Sequence, residues 1–221
     1  MIYKVKNLEF SIAIDGSAAS GKTTGSKIIA KHFNFKLLSS GRLYRFLAFR
    51  MIKDKKKLKD RKYLEEISKN ISISKLKNKK LNTQNVSYLA SKIAKNIFVR
   101  KILRNFQANF SKNKRFIIEG RDIGSVILPN ADLKIFFKCS TKEKAKRRLK
   151  EFKKINKKIT LKEVEKALKS RDFSDKNRKE SPLLFVKGAV ELDTTKLTIK
   201  QMELKLVKLV KKKLFNKYGS I

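Results

Sequence analysis

Nucleophiles and soft metal ligands are scarce in this chain. Its 221 residues include one cysteine and one histidine. Cys139 alone excludes an internal disulfide and a cysteine-rich metal site. It ends an apolar run and reads as a small buried hydrophobe in a reducing compartment. His32 is expected on the surface of the first helix, and a single histidine leaves almost no room for Ser–His or Cys–His nucleophilic chemistry. With two prolines and eight glycines, the chain has no Gly/Ser/Pro-rich linker and no internal repeat, so one domain over residues 1–221 is expected. Lys4, Lys6, Glu9 and Asp15 interrupt the N-terminus where a signal segment would need an apolar core. No uncharged apolar run approaches membrane-spanning length. A soluble, cytoplasmic protein without a membrane partner is the expectation.

Acidic residues are also few. Asp and Glu number 19 against 58 Lys and Arg, a formal net charge of +39. Such an excess fits either an anionic partner or lysine filling solvated positions. The lysines are scattered, with short clusters at Lys55-Lys56-Lys57 and Lys211-Lys212-Lys213, and arginine, the better residue for specific anion recognition, gathers elsewhere. This favours the second reading. No specific nucleic-acid partner is expected, although nonspecific polyanion binding at low salt follows from the charge.

What the chain does have is Gly16-Ser17-Ala18-Ala19-Ser20-Gly21-Lys22-Thr23-Thr24. It fits G-x-x-x-x-G-K-[ST], the loop whose backbone N–H groups and following helix N-terminus surround a polyphosphate. The glycines permit the curled backbone, Lys22 can reach β- and γ-phosphate oxygens, and the Thr23 hydroxyl can ligate Mg²⁺. The context agrees: an apolar run at residues 8–14 predicts a buried strand, and Ile28, Ile29 and Phe33 at helical spacing predict a helix from Gly25 to Phe33.

Further strands are predicted at residues 36–39, 115–119, 132–139 and 188–193. Helices are predicted through Leu43–Met51, around Tyr63–Ser68, through Val86–Ile93 after an N-cap at Asn82-Thr83, and from Val99 to Phe110. The pairs Ser140/Glu143 and Thr160/Glu163 read as capping boxes, and Thr198 with Gln201 caps the last helix. Residues 53–81 are lysine-rich and weakly patterned. Alternating strands and helices imply a parallel sheet covered on both faces. Right-handed crossovers then put the phosphate loop, Ser40, Glu119 and Asp193 on one rim.

Glu119 is placed to act as an acid beside the loop, holding Mg²⁺ through water. Arg45, Arg100 and Arg121 lie near rim loops. Arg147 and Arg148 share a basic helix, and Arg171, Asp175 and Arg178 fall at i, i+4, i+7, one face if the helix continues. Alone, that spacing is a salt-bridge ladder; beside a phosphate loop it reads as an arginine lid over a transferring phosphoryl group.

These blocks together resemble the bacterial cytidylate kinases. The resemblance rests on the phosphate loop, on Leu37-Leu38-Ser39-Ser40-Gly41-Arg42-Leu43-Tyr44-Arg45, on Glu119-Gly120-Arg121-Asp122-Ile123-Gly124-Ser125-Val126, and on Pro129-Asn130-Ala131-Asp132. It continues through Arg171-Asp172, Asp175 and Arg178, then Ser181-Pro182-Leu183 and Leu192-Asp193-Thr194-Thr195. It implies a three-layer α/β fold of the P-loop nucleoside triphosphate hydrolase type, a five-stranded parallel sheet with mobile acceptor-binding (about 41–100) and lid (about 147–182) segments. The implied activity is phosphoryl transfer from ATP, with Mg²⁺, to CMP or dCMP in a monomer. Carried over by position, Gly16 to Thr24 bind ATP, with Lys22, Arg147, Arg148, Arg171 and Arg178 catalytic and Thr23 and Glu119 at the metal. Ser40, Arg45, Arg121 and Arg178 hold the acceptor phosphate and ribose, Ser91, Arg100 and Asp122 read cytosine, and Asp175 with Arg171 contacts the sugar. A carboxylate at Asp122 suits cytosine's N4 amino donor, whereas uracil would present a carbonyl to it. Ser39 stands where the family commonly has aspartate, Arg42 where it has a small residue, and the family's small antiparallel insert sheet has no counterpart in residues 46–90.

No general base is evident or needed, because the acceptor is an ionised phosphate and catalysis consists of alignment and neutralisation of charge. Two alternatives remain open: a kinase of the same fold acting on UMP or another small acceptor, and a basic nucleic-acid-binding protein with a vestigial loop.

Overall fold

The computed structural model describes residues 8–153 and 159–219. Lys4 and Lys6, two of the charges expected to interrupt the N-terminus, and residues 154–158 of the expected lid lie outside them. The chain divides into two compact units, one formed by residues up to Leu37 together with those from Asn113 onward, the other by Leu38–Lys112.

The first unit is built on a sheet whose strands are β1 (Phe10–Gly16), β2 (Lys36–Ser39), β3 (Arg115–Gly120), β4 (Leu133–Lys138) and β5 (Val190–Asp193), in the order β2-β3-β1-β4-β5. β1 pairs in parallel with β3 and with β4, and β4 with β5: Ile14 lies opposite Glu119 on β3 and opposite Ile135 on β4. This is the α/β arrangement that the alternating pattern predicts. Phe10, Ile12 and Ile14 of β1 pack with Ile117, Leu133, Ile135 and Phe137 into a core closed by Ile29 and Phe33 of α1 (Lys22–Phe33) and by Met202, Leu206, Val210 and Leu214 of α8 (Ile199–Tyr218). Ala13, Phe116 and Ile118 point to the other face and are buried as well.

Two glycines set how closely the phosphate loop approaches this core. β1 runs on through Gly16, two residues past the predicted strand, and a Cβ on Gly16 would stand 2.5 Å from the Phe137 carbonyl oxygen, so a larger residue could not lie this close to β4. A Cβ on Gly25 would meet the Phe137 ring at 2.6 Å, so α1 lies nearer the sheet than a larger residue permits. That helix begins at Lys22, three residues earlier than its apolar spacing indicates.

Helices α6 (Thr141–Lys153) and α7 (Leu161–Asn177) pack on each other, with Ala145, Val164 and Leu168 gathered around Ala18 of the loop. The capping boxes at Thr160/Glu163 and Thr198/Gln201 are present in full. The one at Ser140/Glu143 is only half formed. Ser140 Oγ accepts the Glu143 amide at 3.3 Å, but the Ser140 amide donates to Thr195 Oγ1 and the Glu143 carboxylate takes Arg147. A tertiary partner displaces the local one.

The second unit contains α2 (Ser40–Lys53), α3 (Arg61–Lys69), α4 (Gln84–Ile93) and α5 (Ile97–Phe110), with short 3₁₀ turns at Lys75–Lys77 and Lys79–Asn82. Leu43, Leu47, Leu64, Ile67, Leu81, Ile93 and Leu103 are among its fully buried residues. Between Ser40 and Lys112 the described residues form no strand. Asp60 caps α3, and Asn96 caps α5, which begins at Ile97, two residues before the predicted start. Thr83 occupies the N-cap of α4 without a side-chain capping bond, contrary to expectation. Arg42 donates from Nη1 to the Leu76 carbonyl and so anchors the first 3₁₀ turn, which gives this residue a local purpose.

Candidate active site

The loop after β1 turns through Ala19 (φ 57°) and Gly21 (φ 88°) before entering α1. Gly21 therefore occupies left-handed space that other residues enter only with strain. Ser17 is held twice. Its carbonyl accepts Lys22 Nζ at 3.1 Å and its hydroxyl accepts Lys144 Nζ at 3.2 Å. Burial, then the neighbouring Arg121, pushes the Lys22 ammonium down to about 7, against the opposing pull of Glu119. Glu119 stands one residue before the end of β3, directly beside β1, where its place in the sequence puts it. Its Oε1 accepts the Thr23 hydroxyl at 3.0 Å and its Oε2 lies 3.9 Å from Lys22 Nζ. Thr24, the last residue of the expected ATP-binding run, is exposed on the first turn of α1.

Several residues without an expected role tie this loop to its neighbours. Lys144 on α6 is 4% exposed and bridges Ser17 to the carboxylate of Asp172 on α7. Thr194, just past β5, donates its hydroxyl to the Ser20 carbonyl at 2.8 Å and receives Arg147 Nη1 at 3.1 Å, while Arg147 Nη2 reaches the Thr194 carbonyl at 2.7 Å. Arg147 is thereby brought to the loop. Arg148 is not: it pairs with Glu151 on its own helix and lies over the Phe152 ring.

A second charged cluster follows β3. Arg121 Nε donates to Asp175 Oδ2 at 2.8 Å. Arg178 stands 3.9 Å from Asp175 Oδ1 and 3.7 Å from Asp122 Oδ1. Burial would raise the Asp175 carboxyl, but Arg121, Arg171 and Arg178 hold it below the usual range. Burial works against the Arg121 charge too, and Asp175 and Glu119 outweigh it. α7 stops at Asn177, and Arg178 adopts φ −70°, ψ 140°. The helical face expected for Arg171, Asp175 and Arg178 thus ends one residue short, and Arg178 is aimed by its bond from Nε to the Ser181 carbonyl at 2.6 Å. Asp122, 5% exposed, opens a π-helical turn at Ile123–Ile127, a rare geometry that recurs at functional sites. Asp15 Oδ1 and Oδ2 accept the amides of Ile123 and Gly124 at 2.9 and 2.7 Å.

In the second unit, Ser40 is buried at the start of α2, where its hydroxyl accepts Gln107 Nε2 at 3.0 Å. Arg45 Nη1 reaches Asn82 Oδ1 at 3.1 Å. Arg100, 2% exposed, donates to the Ala94 carbonyl at 3.1 Å and lies 5.9 Å from the Tyr44 ring centroid. Ser91 donates its hydroxyl to Tyr88 within its own helix.

Lys144, Asp172, Thr194, Asp15 and Gln107 escape sequence reasoning because their partners are distant in the chain. Asp172 and Thr194 alone carry a signal, since both fall inside blocks on which the family resemblance rests.

Among solved structures, shikimate kinase from Acinetobacter baumannii in complex with shikimate is similar with a TM-score of 0.50 at 14% identity, over 98% of this chain and 99% of that one. That likeness speaks for the fold alone, the expected P-loop type. A family model described as cytidylate kinase matches residues 12–212. The chain is 41% identical over 201 residues to a cytidylate kinase of Fusobacterium nucleatum, covering 86% of this chain and 92% of that one. It is 36% identical over 217 residues to a cytidylate kinase of Thermotoga neapolitana, covering 93% and 98%. A match that runs from the first strand into the last helix, with relatives this similar over nearly their whole length, settles the kinship: the chain belongs to the cytidylate kinase family.

Proposed function

We propose that this chain transfers the γ-phosphoryl group of ATP to CMP and dCMP. The observation that carries the reading is the buried Asp122 carboxylate beside Arg178, in a member of this family whose Lys22, Thr23 and Glu119 converge next to a phosphate loop. A buried carboxylate accepts the N4 amino group of cytosine and rejects the carbonyl of uracil.

The chain's own groups perform alignment and charge neutralisation. Gly16 to Thr24 cradle the triphosphate, and Lys22 exchanges the Ser17 carbonyl for phosphate oxygens. Arg121 and Arg178 hold the acceptor phosphate, with Arg171, Arg147 and Arg148 proposed to offset the charge that spreads during transfer. Arg148 must leave Glu151 to do so. Asp175 is assigned to the sugar. From the second unit, Ser40 and Arg45 are assigned to the acceptor phosphate, and Ser91 and Arg100 to the base.

Thr23 and Glu119 offer two oxygen donors 3.0 Å apart, and the described residues contain no cluster of three His, Cys, Asp or Glu that would cage an ion. This donor set fits Mg²⁺, which keeps several waters and takes phosphate oxygens as ligands. Thr23 would hold it directly and Glu119 through water, and when bound it would neutralise phosphate charge.

An initial-rate panel of CMP, dCMP, UMP and AMP with ATP, read through coupled ADP formation, tests the proposal. CMP and dCMP are expected to be the preferred acceptors, and Lys22→Ala to abolish turnover. A preference for UMP would overturn the base assignment.

A further inference from the structure

Asp15 has no part in the chemistry just proposed, yet it is 6% exposed at the end of β1, one residue before the loop. Both of its oxygens accept backbone amides 108 and 109 positions further along, Ile123 at 2.9 Å and Gly124 at 2.7 Å. These amides open the π-helical turn. The first amides of any helical turn lack an acceptor within it and need one from outside. The neighbouring side chain that could supply one, Asp122, makes no capping bond. The carboxylate on β1 does the capping instead, from another strand. The fit is close, since a Cβ on Gly124 would stand 3.3 Å from Asp15 Oδ2.

Burying a carboxylate costs stability that an apolar residue at this place would not. The charged groups facing Asp15 are Asp122 and Arg121, and the stem of Lys134 on β4 packs beside Gly124. Burial dominates and pushes the Asp15 carboxyl up to about 6, the two amide bonds opposing it. A group kept at such a cost, and bonded to the residues directly after Arg121 and Asp122, suits a task of placement.

We infer that Asp15 is a positioning residue for acceptor specificity: by holding the amides of Ile123 and Gly124 it fixes where Arg121 and Asp122 stand beside the phosphate loop, and so sets the preference for CMP over UMP. The inference rests on the proposed CMP reading. Asp15 touches no substrate atom and acts through the turn.

Asp15→Asn is the direct test. It keeps the size but replaces one acceptor oxygen with an amino group that faces a backbone donor, so one of the two bonds is lost. The expected result is a fall of about tenfold or more in kcat/KM for CMP, with KM for ATP within about threefold of wild type and a narrowed CMP-to-UMP ratio. Gly124→Ala presses on the same junction while leaving the carboxylate intact. It is expected to show the same pattern more weakly, and it decides the matter if Asp15→Asn does not fold. Equal losses toward CMP and ATP with an unchanged CMP-to-UMP ratio would reduce Asp15 to a core residue and overturn the inference, as would unaltered CMP kinetics. Amide hydrogen exchange separates this from failure of the CMP reading. If wild-type protein does not use CMP, that reading fails. If exchange at Ile123 and Gly124 is no faster in Asp15→Asn, the placement role fails on its own.

Discussion

At Lys22, burial and function pull in opposite directions. Its ammonium is pushed down to about 7 by burial and by Arg121, while a bound triphosphate favours the charged form. The sign follows. Below pH 7 the free chain already carries the proton, so ATP binding takes up none at Lys22. Above pH 7 the free amine is mostly neutral and binding must draw a proton from solution, so affinity falls by up to about tenfold per pH unit until the bound-state value is reached. Titration calorimetry in buffers of different ionisation enthalpy checks this. At pH 8 the wild type should take up nearly one proton more than Lys22→Met, whose ATP affinity should be flatter with pH.

Residues of this kind were legible in the sequence to different degrees. Lys22 and Thr23 announce themselves because the loop's chemistry fixes residue types at a local spacing. Glu119 is readable because strand alternation and parallel topology put it next to β1. Asp15 and Lys144 were not, because a carboxylate at a strand end or a lysine in a lysine-rich helix has no local mark of what it meets 109 or 127 residues away.

Among the elements, α6 and α7 are joined by more than their apolar seam. Lys144 and Asp172, with side chains 6% and 14% exposed, form an ion pair that also takes in Ser17. Removing one member of a buried pair leaves the other's charge uncompensated. Lys144→Met is therefore expected to destabilise the chain by about 3 kcal/mol, whereas Lys144→Met with Asp172→Leu should recover most of that loss. Urea unfolding of the single and double variants gives both numbers. Element boundaries show the same contest between local and tertiary partners. The Thr160/Glu163 box was legible and formed because neither side chain meets a stronger partner. The Ser140/Glu143 box was equally legible but is half claimed by Thr195 and Arg147. In residues 53–81 apolar spacing is thin, and there α3 depends on Asp60 at its start and on two buried residues, Leu64 and Ile67.

For the whole molecule, the net charge of +39 is the dominant long-range property. Much of it stands on exposed lysines such as Lys200, Lys205, Lys208, Lys211 and Lys212 of α8, apart from the arginines of the site. A fluorescent single-stranded oligonucleotide should bind at about 50 mM salt and be largely released by about 200 mM, with Lys22→Ala binding as the wild type does. Binding that persists at high salt, or that depends on Lys22, would contradict this separation of bulk charge from site. No described helix is long and apolar enough to cross a membrane.

The strand order has a consequence for durability. β1 lies between β3 and β4 and is paired along both sides, so neither of its edges is open to water. A strand so enclosed separates only when the sheet around it gives way, at the high end of the opening energies within a fold. The segment that springs from its last residue shares that protection at its root. Warming or mild denaturant should loosen helix ends and outer turns well before it weakens the grip on a triphosphate.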